Sequence, residues 1–208
     1  MYIDKNKPIV IALCGKSCAG KDTLSGVLCS YLRMLGVPAI KIISDTTRPP
    51  RPQEEDGVDY NFITKEQFKD GIRKDIYAEW QTYRSWYYGS NVDSFSMEAV
   101  NVGVFNIDGI INLIAFGYNV IPIYLDVPFF ERMKRYKKRA GKITFEQFRR
   151  AFVDMLDFLT IDVIRYSQQD AYLVLKNLDL AENCCKITQH LVSIGVLPSK
   201  ILGKIAEE

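Results

Sequence analysis

Short apolar runs recur along the chain and are separated by stretches long enough to form a helix. Runs of this length with few charges predict strands that are buried on both faces. The predicted strands cover residues 8–13, 39–43, 102–107, 119–125 and 170–175. Helices are predicted between and after them, over residues 22–35, 109–116, 129–139, from 144 onward and over 181–194. Strands that alternate with helices favour an α/β fold in which a parallel sheet is covered on both faces.

The segment 44–90 interrupts this alternation. It begins with a polar stretch that prolines stiffen over residues 48–53, and continues with short predicted strands at 59–62, 77–80 and 86–88. A helix is predicted from Thr64, with Gln67 at the capping-box position. The tail over residues 198–208 is polar and is expected to be peripheral.

A phosphate-binding loop is predicted where the first strand runs into the first helix. Residues 15–21 fit the pattern G-x-x-x-x-G-K. Glycines let backbone N–H groups turn toward phosphate oxygens, the helix N-terminus adds a positive dipole, and Lys21 would neutralise the β- and γ-phosphates. The alternative is a glycine-rich turn without a ligand, but the flanking strand and helix favour nucleotide binding. The predicted contacts are Gly15, Lys16, Ser17, Cys18, Ala19, Gly20, Lys21, Asp22 and Thr23.

The residue after this lysine departs from the usual pattern. A Ser or Thr normally offers its hydroxyl to Mg²⁺ there, whereas this chain has Asp22 followed by Thr23. A carboxylate is also a good Mg²⁺ ligand. Asp22 is therefore either a magnesium ligand, directly or through water, or an acidic residue that the helix dipole favours at a helix N-terminus.

Composition and charge narrow the class of protein. The chain has 208 residues and a formal net charge of +2, which suits one domain and argues against a strong polyanion-binding surface. Five cysteines without paired spacing argue against a disulfide framework, and the single histidine, His190, argues against a histidine-based metal site. The sequence shows neither a bilayer-spanning run nor a signal-peptide core, so a cytoplasmic location is expected.

Two blocks within the segment 44–90 resemble the guanylate kinase family. They are SDTTRPPRP at residues 44–52 and DGVDYNF at 56–62, followed at the family's spacing by EW at 79–80 and YYGS at 87–90. The resemblance extends from the phosphate loop to about residue 177. It implies a three-layer P-loop NTPase fold and an enzyme that transfers a phosphoryl group from ATP to GMP or dGMP, with Mg²⁺.

The resemblance also implies roles in the acceptor site. Arg48 and Arg51 lie on the proline-stiffened segment, so two guanidiniums can fork onto one phosphate with little ordering cost. A carboxylate at Glu79 can accept from the ring N–H and the exocyclic amine of guanine, whereas adenine presents an acceptor at the ring position. The implied substrate-binding residues are Ser44, Arg48, Arg51, Tyr60, Glu79, Tyr88 and Ser90, with the tyrosines on the phosphate and the serines on the base.

Two further positions relate to the transferred phosphoryl group. Asp108 matches a family aspartate near this group, but Asn106 replaces a second aspartate that the family usually has two residues earlier.

The cation-rich stretch 132–142 is either a solvated helix face or part of a lid over ATP. Its register matches the lid arginines of the family at Arg135, Arg139 and Arg150. The implied catalytic residues are Lys21, Arg48, Asp108, Arg135, Arg139 and Arg150.

The predicted organisation is a single domain over residues 1–208. It has a core at 1–43 and 91–208, an acceptor-binding insertion at 44–90 and a short lid at about 135–150. The expected ligands are ATP, a nucleoside monophosphate and Mg²⁺, the expected state is a monomer or homodimer, and neither a membrane nor a nucleic acid is an expected partner. Alternatives are a monophosphate kinase with other base specificity, a non-catalytic guanylate-kinase-like protein-binding module, and a P-loop hydrolase that binds nucleic acid.

Overall fold

The computed structural model describes residues 3–83, 85–140, 168, 170–176 and 179–206. The strands are β1 (Ile9–Cys14), β2 (Ala39–Lys41), β3 (Asp45–Thr46), β4 (Asn61–Phe62), β5 (Tyr77–Tyr83), β6 (Trp86–Asn91), β7 (Val100–Val104), β8 (Asn119–Leu125) and β9 (Leu173–Leu175). The α-helices are α1 (Lys21–Met34), α2 (Lys65–Arg73), α3 (Ile107–Ala115), α4 (Phe129–Ala140), α5 (Leu180–Ser193) and α6 (Lys200–Ala206).

The central sheet is parallel within the described ranges, with strands in the order β2-β7-β1-β8-β9. The register between β1 and β7 pairs Val10 with Asn101, and that between β1 and β8 pairs Ile9 with Asn119. The carboxyl end of β1 therefore lies between those of β7 and β8. In open parallel sheets, ligands bind at this edge.

Alternate residues of β1 face opposite sides of the sheet and belong to two separate cores. Ile11 and Leu13 pack with apolar residues of α1 and α5, while Val10 and Ala12 pack with α3. The prediction of an α/β fold with a parallel sheet covered on both faces is confirmed.

The segment 44–90 forms a second, mixed sheet with strands in the order β4-β3-β6-β5. Its core is the fully buried Phe68 of α2, whose ring stacks on Tyr77 at 4.4 Å and on Tyr87 at 5.2 Å between centroids. The predicted capping box of α2 is present, because Thr64 Oγ1 accepts from the Gln67 N–H and Gln67 Oε1 accepts from the Thr64 N–H.

Several features differ from the predictions. The strand predicted over 102–107 ends at Val104, because the Asn106 side chain caps α3 and the helix begins at Ile107. The two-residue strand β3 was not predicted, since it is too short to show a periodic pattern. The tail is less peripheral than predicted: Ile201 of α6 is 4% exposed and joins the core beside α1 and α5. The helix predicted from Thr144 lies outside the described residues.

None of the helices in the described part of the chain combines the length and the apolar character needed to cross a membrane.

Candidate functional site

The phosphate loop joins β1 to α1 at the carboxyl edge of the central sheet. Gly20 is the N-cap of α1 with φ 98°, a left-handed conformation that L-residues with a side chain rarely adopt. Lys21 Nζ donates to the carbonyl oxygens of Gly15 at 2.7 Å and Lys16 at 3.2 Å, so its charge lies within the loop. Cys14 ends β1 fully buried, and burial raises its thiol pKa to about 12, which makes it a packing residue rather than a nucleophile.

Helix α4 places two arginines against the phosphate loop. Arg135 Nη1 donates to the carbonyl oxygen of Ala19 at 2.6 Å, and Arg132 Nη1 donates to that of Ser17 at 3.3 Å. Arg132 is only 3% exposed and was not singled out in the sequence. Its position three residues before Arg135, on the same helix face, is the signal that could have found it.

The side chains of the two other predicted lid arginines lie outside the described part of the structure. The backbone of Arg139 belongs to α4, but its side chain lies outside the described part of the structure. Arg150 lies outside the described residues altogether, as does most of the predicted lid at 135–150.

A cavity of about 200 Å³ lies beside the phosphate loop. Apolar side chains and a few polar groups form its walls, a composition typical of small-molecule sites. The lining residues are Ala19, Gly20, Thr23, Leu24, Leu125, Val127, Arg135, Leu180 and Asn183. The contribution of α5 through Leu180 and Asn183 was not predicted, because the chain segment is distant from the loop in sequence.

The two predicted phosphate-binding arginines lie in the loop between β3 and β4 and share one carboxylate. Arg48 Nη2 donates to both carboxylate oxygens of Glu54, at 2.9 and 2.8 Å, and Arg51 Nη1 donates to Glu54 Oε1 at 3.1 Å. Burial alone would lower the pKa of Arg48, but its hydrogen bond and charge interaction with Glu54 raise the pKa overall. The structure therefore brings both arginines together, and it adds Glu54, which was not among the predicted site residues.

Aromatic residues surround the guanidinium of Arg48. Its Cζ lies 5.6 Å from the ring centroid of Tyr60, and Tyr60 makes an edge-to-face contact with Tyr88 at 6.0 Å. Burial raises the pKa of Tyr60 to about 12, with a further contribution from the negative charge of Asp22. Tyr60 therefore stays a neutral hydroxyl at physiological pH.

The predicted base-binding residues form a hydrogen-bonded chain. Ser90 Oγ donates to Glu79 Oε1 at 2.8 Å, and the hydroxyls of Ser44 and Ser90 are 3.0 Å apart. Glu79 is 6% exposed, and its burial raises the pKa of the carboxyl to about 7 although the Ser90 hydrogen bonds lower it in part. All three side chains thus meet at one buried position between β3, β5 and β6.

The N-terminus of α3 packs against the strand that carries Glu79. Asn106 Oδ1 accepts from the Gly109 N–H at 2.8 Å, and Asn106 Nδ2 donates to Gln81 Oε1 of β5. A Cβ on Gly109 would lie 3.0 Å from Glu79 Oε2, so only glycine allows this close approach without displacing the carboxylate. Asp108 lies in the first turn of α3 and is exposed.

The acidic residues near the loop fit a magnesium ion that is held mainly by phosphates. Mg²⁺ in kinases takes one or two protein carboxylates and fills its remaining positions with phosphate oxygens and water. Asp22 and Thr23 are both exposed in the first turn of α1, beside the phosphate loop. Among the residues that the structure describes, no cluster of three or more His, Cys, Asp or Glu side chains forms a dedicated metal site.

Comparisons with known proteins agree with this geometry. The sequence model of the family described as guanylate kinase matches residues 5–192. A guanylate kinase of Clostridium perfringens (strain 13 / Type A) is 30% identical over 189 residues, which is 86% of each chain. One from Onion yellows phytoplasma (strain OY-M) is 40% identical over 84 residues, and this match spans only 38% of that protein.

A solved structure shares the fold. The crystal structure of guanylate kinase from Anaplasma phagocytophilum matches with a TM-score of 0.64 and 19% sequence identity, over 92% of this chain and 88% of that one. Together with the family match over nearly the whole length, these findings show that the chain belongs to the guanylate kinase family.

Proposed function

We propose that this protein transfers the γ-phosphoryl group of ATP to GMP or dGMP, giving ADP and the corresponding diphosphate. The observation that carries this proposal is the buried Glu79 carboxylate, which is hydrogen-bonded to Ser90 in the second sheet. Arg48 and Arg51 lie in the loop that joins β3 to β4 of the same sheet. A buried carboxylate satisfies the two adjacent donors of guanine and leaves an unfavourable contact with adenine.

The acceptor phosphate binds to the clamp formed by Arg48 and Arg51. Bidentate guanidinium contacts suit a phosphate monoester, and the hydroxyls of Tyr60 and Tyr88 add hydrogen-bond donors. Ser44 and Ser90 orient the base. This arrangement fixes the acceptor at both ends, which places its phosphate oxygen for in-line attack on ATP.

The donor ATP binds at the phosphate loop. The amides of residues 15–21 and the charge of Lys21 hold its phosphates, and the cavity lined by Leu180 and Asn183 receives the adenine ring. Arg135, Arg139 and Arg150 act as lid residues that stabilise charge on the transferred group and exclude water. In this proposal the chain is a single domain. Residues 44–90 form its acceptor-binding insertion, and residues from about 135 to 150 form its lid.

Mg²⁺ bound with ATP would neutralise charge on the β- and γ-phosphates. Asp22, in the first turn of α1, is the residue proposed to hold it. Chelation by EDTA is accordingly expected to abolish phosphoryl transfer, and added Mg²⁺ to restore it. We further propose a cytoplasmic location, which is consistent with five cysteines that are all free thiols.

A coupled assay of ADP release tests this proposal, with GMP, dGMP, AMP, CMP, UMP and dTMP compared in parallel. Turnover of GMP or dGMP alone, abolished in Lys21→Ala, is the expected result. Turnover of a different monophosphate would support kinase activity but contradict the assignment of guanine as the base. A folded protein that transfers phosphate to none of them would favour the non-catalytic binding module instead.

A further inference from the structure

The carboxylate of Glu54 lies between the two arginines of the acceptor clamp. It accepts three hydrogen bonds from their guanidiniums and a fourth from the backbone N–H of Arg51 at 2.8 Å. The backbone N–H of Glu54 also donates to the Arg51 carbonyl oxygen at 3.0 Å, which closes a turn over residues 51–54. Glu54 is thus tied to the clamp through both its side chain and its backbone.

We propose that Glu54 is a positioning residue that assembles the acceptor-phosphate clamp before the acceptor arrives. This inference rests on the proposed function, because it concerns the same site. Two guanidiniums held close together repel each other, and a shared carboxylate offsets that repulsion when no phosphate is bound. It also limits the freedom of two long side chains, which would otherwise lose entropy when the phosphate binds.

The charges and donors of the clamp are compatible with this role. Arg48 and Arg51 carry two positive charges against the single negative charge of Glu54, so a net positive charge remains for a phosphate. Burial alone would raise the pKa of Glu54, but hydrogen bonds from Arg51 and Arg48 lower it overall, which keeps Glu54 ionised at neutral pH. The side chains of Arg48 and Glu54 are each 13% exposed, so solvent screens their ion pair only in part.

The opposite role would be competition, in which Glu54 occupies the clamp and must leave before the phosphate can bind. Its local turn argues against this, because leaving would also break the hydrogen bond to the Arg51 backbone N–H. The two roles predict opposite effects when the charge is removed. A positioning carboxylate strengthens acceptor binding, whereas a competing one weakens it.

The test measures binding of GMP and of ADP by isothermal titration calorimetry in Glu54→Gln. The amide keeps the shape of the side chain, but its NH₂ group faces guanidinium donors. The dissociation constant for GMP is expected to rise about tenfold or more, while that for ADP changes less than about twofold. At saturating GMP, kcat is expected to stay within about threefold of the wild type, because the phosphate loop is untouched.

Glu55→Gln is the matched control, since Glu55 is exposed and its carboxylate makes no hydrogen bond or ion pair with the described residues. It is expected to bind GMP like the wild type. Glu54→Asp keeps the charge on a shorter side chain and should give an intermediate dissociation constant for GMP. This variant keeps the inference testable if Glu54→Gln does not fold. An unchanged or lower GMP constant in a folded Glu54→Gln would overturn the inference. A wild type that does not bind GMP would instead reject the proposed function.

Discussion

Glu79 is the residue on which the proposed base recognition depends. Its carboxylate is 6% exposed and bonded to Ser90, and burial raises its pKa from an ordinary 4.5 to about 7. Only the ionised form can accept from both guanine donors, since a protonated carboxyl would point its own O–H at one of them. The proposed guanine binding is therefore coupled to loss of this proton.

This coupling predicts the pH dependence of the reaction. As the pH falls through about 7, kcat/KM for GMP should decrease with a slope that approaches one logarithmic unit per pH unit, whereas kcat/KM for ATP should not. A phosphate monoester itself titrates near pH ~6, so the Glu79→Gln variant supplies the baseline. A wild-type profile that coincides in shape with that of the variant would contradict the role of Glu79.

The same pKa shift also affects stability. Between pH 4.5 and about 7 the unfolded chain has Glu79 ionised while the folded protein keeps it protonated. Its contribution to the free energy of unfolding is therefore largest below pH 4.5 and is lost as the pH rises through 7. Relative to Glu79→Gln, the wild type should lose roughly 3 kcal/mol over this window, as measured by urea unfolding at each pH.

Single residues of the site differ in how well the sequence predicts them. Arg48, Glu79 and Lys21 stand in ordered blocks whose spacing points to phosphate and base binding. Glu54 and Arg132 do not, because their importance comes from side-chain contacts that sequence spacing does not show. An acidic residue after a proline-rich turn looks like surface, and only the structure shows that it joins two guanidiniums.

At the scale of elements, α3 connects the central sheet to the second sheet. Asn106 caps the helix and also bonds to Gln81 of β5, on the same strand as Glu79. Asn106→Ala is predicted to lower the free energy of unfolding by about 1–2 kcal/mol through loss of the cap. It should also raise KM for GMP, because α3 no longer holds β5.

Thr64→Ala is the control for that effect, since it removes a comparable cap from α2. It should lower the free energy of unfolding by about 1 kcal/mol with little change in KM for GMP. Asn106→Asp keeps a capping oxygen and should retain most of the stability. If Asn106→Ala and Thr64→Ala changed KM for GMP equally, the prediction that α3 holds β5 in place for GMP binding would be contradicted.

Helix α4 gives a second prediction at this scale. Arg135 contacts the phosphate loop, whereas its neighbour Lys134 is exposed and pairs with Glu131. Arg135→Ala is predicted to reduce kcat about 100-fold or more, and Lys134→Ala to change it less than about twofold. Steady-state kinetics of the two variants would measure this, and similar kcat values for both would reject Arg135 as a catalytic residue.

Elements were predictable where hydrophobic runs are long or caps are explicit. The pattern of β8 and the capping box of α2 are examples, and both are present. The start of α3 was misplaced because an apolar run continues from β7 into the helix, and only the Asn106 cap separates them. α6 was missed because its burial depends on residues that are distant in sequence. Ile201 packs in the same core as α1 and α5, and Lys204 Nζ donates to the carbonyl oxygen of Leu35, which follows α1, at 2.7 Å.

At the scale of the whole molecule, the described residues form two sheets, and the phosphate loop follows a strand of the central one while the proposed acceptor site belongs to the other. The alternation of strands and helices predicts the central sheet, because each strand needs a covering helix on one of its faces. The order β2-β7-β1-β8-β9 was not predicted, since pairing between distant strands leaves no local trace in the sequence. The hydrogen bond from Asn106 of α3 to Gln81 of β5 likewise appears only in the folded chain.

The central claim is that the phosphoryl group of ATP moves to GMP rather than to water. Phosphorus-31 NMR of a mixture of ATP, GMP, Mg²⁺ and the protein tests this directly, because it distinguishes GDP from inorganic phosphate. We predict that the GMP resonance falls and the nucleoside diphosphate resonances grow as ATP is consumed, while inorganic phosphate stays at the level of the protein-free control. Release of inorganic phosphate with GMP unchanged, or unchanged ATP with folded protein, would contradict this claim.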